Sequence, residues 1–138
     1  MKDHQQSQII LYQTEDGRTR VEVRFEHENV WLTQKLIAEL FDVTVPTVNE
    51  HLSNIFKTGE LAADSVIREF LITATDGKKY NTKMYGLEVI IALGYRVNSS
   101  RGTLFQQWAT ERLREYMVKG FTMDDERLKN PATIFGKD

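Results

Sequence analysis

Cysteine is absent from this 138-residue chain, and long apolar runs are absent as well. Without cysteine the chain contains no disulfide framework, no cysteine-ligated zinc site and no thiol nucleophile. No apolar run approaches the roughly 20 residues that a membrane helix needs, and the opening MKDHQQSQII lacks the segments of a signal peptide. We therefore expect a cytoplasmic protein without a membrane partner.

Further absences argue against enzymatic chemistry. The sequence contains no glycine-rich phosphate loop. His4, His27 and His51 lack metal-ligand spacing, and the acidic run 124–126 is typical of a solvated segment, not of a placed carboxylate pair. We predict no catalytic residue, no metal, no cofactor and no small-molecule ligand for this part of the protein.

The charge balance is mildly acidic overall but locally basic. A net charge of −2 argues against a protein that coats nucleic acid without specificity. Residues 94–120 nevertheless hold five basic side chains against two acidic ones. The hydrophobic content of 41% is a globular value, so we expect one folded domain over residues 1–120 and a polar tail or linker over 121–138.

Periodicity predicts strands in the first part of the chain and a helix pair after them. Apolar and polar residues alternate within a predicted hairpin that ends near Phe25, and the run NVWL predicts a third strand with Trp31 pointing inward. At Thr33, a candidate helix cap, the period changes to about 3.6. A first helix should end near Asp42, and a second should run from about 44 or 45 to 56.

The second half of the chain predicts another hairpin and two further helices. An Asp-Gly turn lies inside a hairpin over about 67–84, and a helical extension covers 86–120. Its last helix should run from Thr103 to about Lys119. The expected fold is therefore α+β and like a winged helix-turn-helix, with the last helix packing on the core or on a second subunit.

The helix pair over about 33–57 has the spacing of a helix-turn-helix. Ala38 is small where the helices cross, and Val43 anchors the turn. Asp42 stands where glycine is usual, and the outer face is not basic, so a helical hairpin that merely packs is the alternative. The residues expected to face DNA are Thr44, Thr47, Asn49, Glu50 and Ser53. Among them Asn49 is the best base reader, because an amide pairs bidentately with adenine.

Two further basic groups are candidate phosphate contacts. Lys78 and Lys79 lie in the second hairpin, which would act as a wing along the DNA backbone, although exposed edge lysines also discourage aggregation. Arg96 and Arg101 flank NSSRG, whose polar residues can cap the last helix, so the pair would form an anion site with the helix dipole. In the alternative interpretation both arginines are tied to acidic side chains.

Two long blocks occur in this order along the chain, EDGRTRVEVRFEHENVWLTQKLIAELFDVTVPTVNEHLSNIFKTGEL and GYRVNSSRGTLFQQWATERLREYMVKGFTMDDERL. Through these two blocks the chain resembles the amino-terminal part of the RhuM-type virulence protein family. The later block is distantly similar to the amino-terminal domains of phage antirepressor and BRO proteins. The similarity to antirepressor and BRO domains implies a DNA-binding module. The RhuM resemblance implies a longer protein, since RhuM-like chains usually continue well beyond the position of Asp138.

These features predict a module that binds duplex DNA, with a role in regulation, mobile elements or virulence. The alternative is a protein-interaction or dimerisation module with no DNA contact. In that alternative the aromatic helix from Thr103 to Lys119 would be the docking surface or would form a homodimer.

Overall fold

A computed structural model describes the backbone of residues 8–122 and the side chains of residues 8–117. Within this range strands and helices follow one another in mixed order. The elements are β1 (Gln8–Gln13), β2 (Arg20–Glu26), β3 (Asn29–Leu32), α1 (Gln34–Phe41), α2 (Val45–Lys57), α3 (Ala63–Val66), β4 (Ile67–Thr73), β5 (Lys79–Gly86), α4 (Leu87–Arg96) and α5 (Ser100–Thr122).

The five strands form one antiparallel sheet in the order β1-β2-β3-β5-β4. A two-residue turn at His27 and Glu28 joins β2 to β3, and both residues have φ near +57°, as this type of tight hairpin requires. β3 pairs with β5, not with the next strand in sequence, through Leu32 and Tyr85. The connection from β3 to β4 carries α1, α2 and α3, so the helix pair is inserted between two strands of one sheet.

The main core lies between the sheet and the helices. Val21, Val23 and Phe25 alternate along β2 and are fully buried on the helix-covered face. Ile37 and Leu40 of α1 pack into the same cluster. The alternation predicted for the first hairpin is therefore confirmed, and it fixes which face of the sheet the helices cover.

A second, smaller cluster lies on the opposite face of the sheet. Trp31 packs there against Phe70 and Met84, with the guanidinium of Arg68 5.9 Å from the indole ring centre. The Trp31 indole N–H donates a hydrogen bond of 2.7 Å to the Glu26 carbonyl oxygen. Trp31 is buried, as expected, but on the face away from the helices. Side chains alternate along a strand, and Leu32 takes the helix-covered side.

The α+β class is confirmed, and the predicted ends of the helix pair agree with the structure to within a residue. The last helix differs from its prediction, since it begins at Ser100 instead of Thr103. The hydroxyl of Ser99 accepts a hydrogen bond from the Arg101 amide, which extends the helix into the segment predicted as a loop. α5 packs back on the core through Phe105 and Ala109. All but the start of the predicted tail, 121–138, lies outside the described residues.

Candidate nucleic-acid interface

The turn between α1 and α2 is short and closely bonded. Asp42 takes the left-handed conformation that glycine usually supplies, with φ at 58°. The Val43 amide donates to the Ala38 carbonyl over 3.0 Å, and Thr44 caps α2 by accepting from the Thr47 amide over 3.2 Å. Aspartate is one of the few residues that tolerates this conformation, so the turn forms without glycine.

The polar residues predicted to face outward on α2 are on its accessible side. Val48, Leu52 and Ile55 hold the helix to the core, and Asn49 and Ser53 project from exposed positions. The side chains of Thr44 and Thr47 hydrogen-bond each other over 2.9 Å. These two threonines therefore shape the start of α2. Thr47 is half-buried, and the other four residues of the predicted set are exposed.

The β4–β5 hairpin carries its lysines on a defined side. Tyr85 belongs to the helix-covered core, and alternation along β5 puts Lys83, Asn81 and Lys79 on that same side of the ribbon. Lys79 pairs across the ribbon with Thr73. Sequence reasoning missed Asn81, whose position between two lysines is visible once the strand register is known.

Hydrogen bonds order the tip of this hairpin. The Tyr80 hydroxyl donates to one Asp76 carboxylate oxygen over 2.6 Å, and the Lys78 amide donates to the other over 2.8 Å. The Tyr80 bond, followed by the Lys78 bond, lowers the pKa of Asp76, and the same carboxylate raises the pKa of Tyr80. Lys78 is exposed at the tip, with its backbone engaged and its position fixed by the turn.

Arg96 and Arg101 reach different partners. The Arg96 guanidinium bonds to the Glu60 carboxylate over 2.8 Å. The Arg101 guanidinium donates to the Leu40 carbonyl over 2.9 Å and lies 3.6 Å from the Asp16 carboxylate. These contacts match the alternative interpretation given for the pair, because each guanidinium is held by an acidic side chain of its own.

The aromatic side chains of α5 are used inside the fold. The Trp108 ring packs at a tilt against Tyr12, with 4.9 Å between ring centres, and edge to face with Phe25 at 5.8 Å. Phe105 meets Tyr12 in a T-shaped contact at 5.2 Å. Tyr116 lies 5.9 Å from Phe25. The aromatic surface proposed for docking therefore faces the sheet of the same chain.

Within the described residues the site contains no metal-binding group of three or more His, Asp or Glu side chains. None of the described helices combines the length and the apolarity that crossing a bilayer requires. The accessible side of α2 and the β4–β5 ribbon therefore present amides, hydroxyls and lysines together with carboxylates. The carboxylates are those of Glu50 on α2, Glu69 opposite Lys83 on the ribbon, and Asp76 at the hairpin tip.

Comparison with protein families gives one match. The model of the Virulence protein RhuM family matches residues 65–138, which is more than half of the chain. The chain belongs to the RhuM family. This confirms the resemblance seen in the sequence, and the family's name associates its members with virulence.

The matched range locates the family signature within the fold. It begins in α3 and includes β4, β5, α4 and α5, so it contains the lysine ribbon and both arginines but not the helix pair. Comparison with curated proteins and with solved structures finds no match. The interpretation of α1 and α2 therefore depends on their own geometry.

Proposed function

We propose that this RhuM-family chain is a DNA-binding module in which α2 enters the major groove and the β4–β5 ribbon follows the phosphate backbone as a wing. The observation that supports this proposal is the path β3-α1-α2-α3-β4-β5 with the strand order β3-β5-β4. A helix pair set between strands of a small antiparallel sheet, with a hairpin after it, is the arrangement of a winged helix-turn-helix. The extra hairpin β1–β2 extends this sheet on one side.

The geometry of α2 supports its role as the reading helix. The tight turn at Asp42 fixes α2 against α1, and three apolar residues hold its inner face, so the opposite face is presented rigidly. Asn49 is exposed in the first half of α2, the part of a recognition helix that contacts base edges. We assign Asn49 to base reading, with Ser53 and the capping threonines beside it.

The lysines of the β4–β5 ribbon support a separate role, which is contact with the phosphate backbone of DNA. Lys79 and Lys83 lie on the helix-covered side of β5, and Lys78 lies at the tip. Lysine contacts to phosphate add affinity for any sequence and make it depend on salt. We propose a regulatory role, because a module that reads duplex sequence can act by occupying DNA, and we place this role in the cytoplasm as the sequence predicts.

The test is a fluorescence titration with duplexes selected from a random library, at low and at raised salt. Asn49→Ala should weaken binding to the selected duplex by about 1–3 kcal/mol and leave binding to random duplex unchanged. Asn54→Ala is the matched control, because it makes the same chemical change further along the exposed surface of α2. Equal losses on selected and random DNA for Asn49→Ala would remove this residue from base reading.

Lys79→Ala separates the wing from the reading helix. It should weaken selected and random duplexes alike and reduce the salt slope by about one unit, since one phosphate contact is lost. If the protein at micromolar concentration binds no duplex but readily captures a protein partner, the DNA proposal is wrong. The interaction-module alternative then takes its place.

A further inference from the structure

The two edges of the sheet differ in chemistry. In the described residues β1 and β4 are the edge strands. β4 carries Arg68 and Glu69, whereas β1, with the sequence QIILYQ, has no charged residue and no proline. Edge strands are normally protected from pairing by charge, proline or a bulge, because their outer backbone groups are open to another strand. β1 lacks the first two protections, and its pairing with β2 is continuous from Gln8 to Gln13.

β1 also exposes apolar side chains. Ile9 is 50% exposed and Leu11 is 47% exposed, and both lie on the sheet face opposite Ile10 and Tyr12. Tyr12 is buried against α5 on the other side. β1 is thus anchored on its helix-covered face and offers two large apolar groups on its open face.

We propose that β1 pairs antiparallel with β1 of a second copy of this chain, joining the two sheets into one. The occupant follows from the sequence of the strand itself. When the pairing is centred on Ile10, Ile9 of one copy lies directly opposite Leu11 of the other, and Ile10 lies opposite Ile10. If the pairing shifted by one residue, Ile10 of one copy would lie opposite Leu11 of the other. The helices of the two copies would then lie on opposite sides of the joined sheet. A slip by two residues of one strand would put Ile9 opposite Gln13.

The symmetry of this pairing has a consequence for the proposed function. The two-fold axis of an antiparallel strand pair is perpendicular to the sheet, so both copies keep their helices on the same side. Both α2 helices would then lie on one side of the joined sheet and be related by a two-fold axis, which is the symmetry that a palindromic site requires. This consequence depends on the proposed DNA binding, whereas the dimer itself does not.

The experiment measures the mass of the free protein by light scattering after size exclusion. The wild-type chain should give twice its 16.0 kDa mass at about 100 μM and dissociate on dilution, because a short interface is weak. Ile9→Lys combined with Leu11→Lys should give the monomer, since like charges then lie directly opposite. Ile9→Glu combined with Leu11→Glu should also give the monomer. Mixing the two double variants should restore a dimer.

The control is Leu71→Lys, which adds charge at the other edge strand at a side chain that is 62% exposed. It should leave the dimer intact. Circular dichroism should show that all variants remain folded, because the changed positions are exposed. A wild-type monomer at all concentrations, a dimer that persists in both charged variants, or no dimer on mixing would each overturn the proposal. No DNA is present in these measurements, so failure of DNA binding is a separate result.

Discussion

At the scale of the residue, Arg101 connects three elements of the fold. α1 has no basic residue in its last turn, and its Leu40 carbonyl is one of those that a helix end leaves without an intrahelical partner. The Arg101 guanidinium, from α5, donates to that carbonyl and lies beside Asp16 in the β1–β2 turn. A positive group at a helix C-terminus is also favoured by the helix dipole.

Arg101→Ala should therefore lower the free energy of unfolding by about 1–2 kcal/mol, because it leaves the Leu40 carbonyl without its charged donor. Arg96→Ala should cost less than about 1 kcal/mol, since the pair of Arg96 with Glu60 is partly exposed to solvent. Urea unfolding of the two single variants checks this order.

The same two variants test the anion site predicted from the sequence. If Arg101 acts in the fold alone, Arg101→Ala loses stability and keeps its DNA affinity. A folded Arg101→Ala variant of unchanged stability with reduced DNA affinity would favour phosphate contact instead.

A second residue-scale prediction concerns pH at the hairpin tip. The Tyr80 hydroxyl is the largest cause of the lowered pKa of Asp76, whose ordinary value is 3.8. Because the folded-state pKa is depressed, ionised Asp76 stabilises the turn above pH 3.8, and this contribution disappears as the pH falls through the folded-state pKa. Tyr80→Phe should raise the pKa of Asp76 toward its ordinary value in an NMR titration.

Asp16 is the internal control for this titration. Its pKa is lowered mainly by the Thr14 hydroxyl, and Tyr80 is not among the groups that shift it, so it should not change in Tyr80→Phe. An unchanged pKa for Asp76 would show that the Tyr80 bond does not hold the turn.

At the scale of the element, α4 and α5 meet at two glycines. A Cβ added to Gly94 would lie 3.3 Å from the Gly102 Cα and 3.3 Å from the Phe41 ring. Phe41 is buried at the end of α1, so neither neighbour moves freely. The close approach of the two helices therefore depends on the absence of side chains at this crossing.

Gly94→Ala should lower the free energy of unfolding by about 1 kcal/mol. The steric cost in a packed site is about 1–3 kcal/mol, and the better helix propensity of alanine offsets up to about 1 kcal/mol of it. Thr103→Ala, at an exposed position of α5, is the control and should be neutral or slightly stabilising. A stabilised Gly94→Ala variant in urea unfolding would contradict the close crossing.

At the scale of the whole molecule, the aromatic contacts of α5 join the helical extension to the first hairpin. Trp108 contacts Tyr12 and Phe25 on the helix-covered face, and Trp31 reports on the opposite face. We therefore predict that the elements from β1 to α5 unfold as one cooperative unit.

Single-tryptophan variants test this prediction. In Trp31→Phe and in Trp108→Phe, the urea midpoint from the remaining tryptophan's fluorescence should equal the midpoint from far-UV circular dichroism of the same variant. Separate midpoints in the Trp31→Phe variant, whose fluorescence comes from Trp108, would show that α5 detaches before the sheet unfolds.

The sequence by itself determined the local elements. Alternation predicted the first hairpin, and the change of period at Thr33 predicted the start of α1, whose cap is confirmed by the Leu36 amide donating to the Thr33 hydroxyl. The Asp-Gly turn predicted the second hairpin. Such signals are contained in a few neighbouring residues, because periodicity, caps and turn conformations are properties of a short segment.

Only the tertiary structure decided where the long-range groups point. Arg101 and Leu40 are 61 residues apart, and Arg96 and Glu60 are 36 residues apart, so no local pattern could assign these partners. Sequence patterns likewise did not decide the face of Trp31 or the place of β1 at one edge of the described sheet, because both depend on the pairing of β3 with β5 and on the order of the five described strands. Residue type determines what a side chain can bind, and the packing of distant segments determines what it meets.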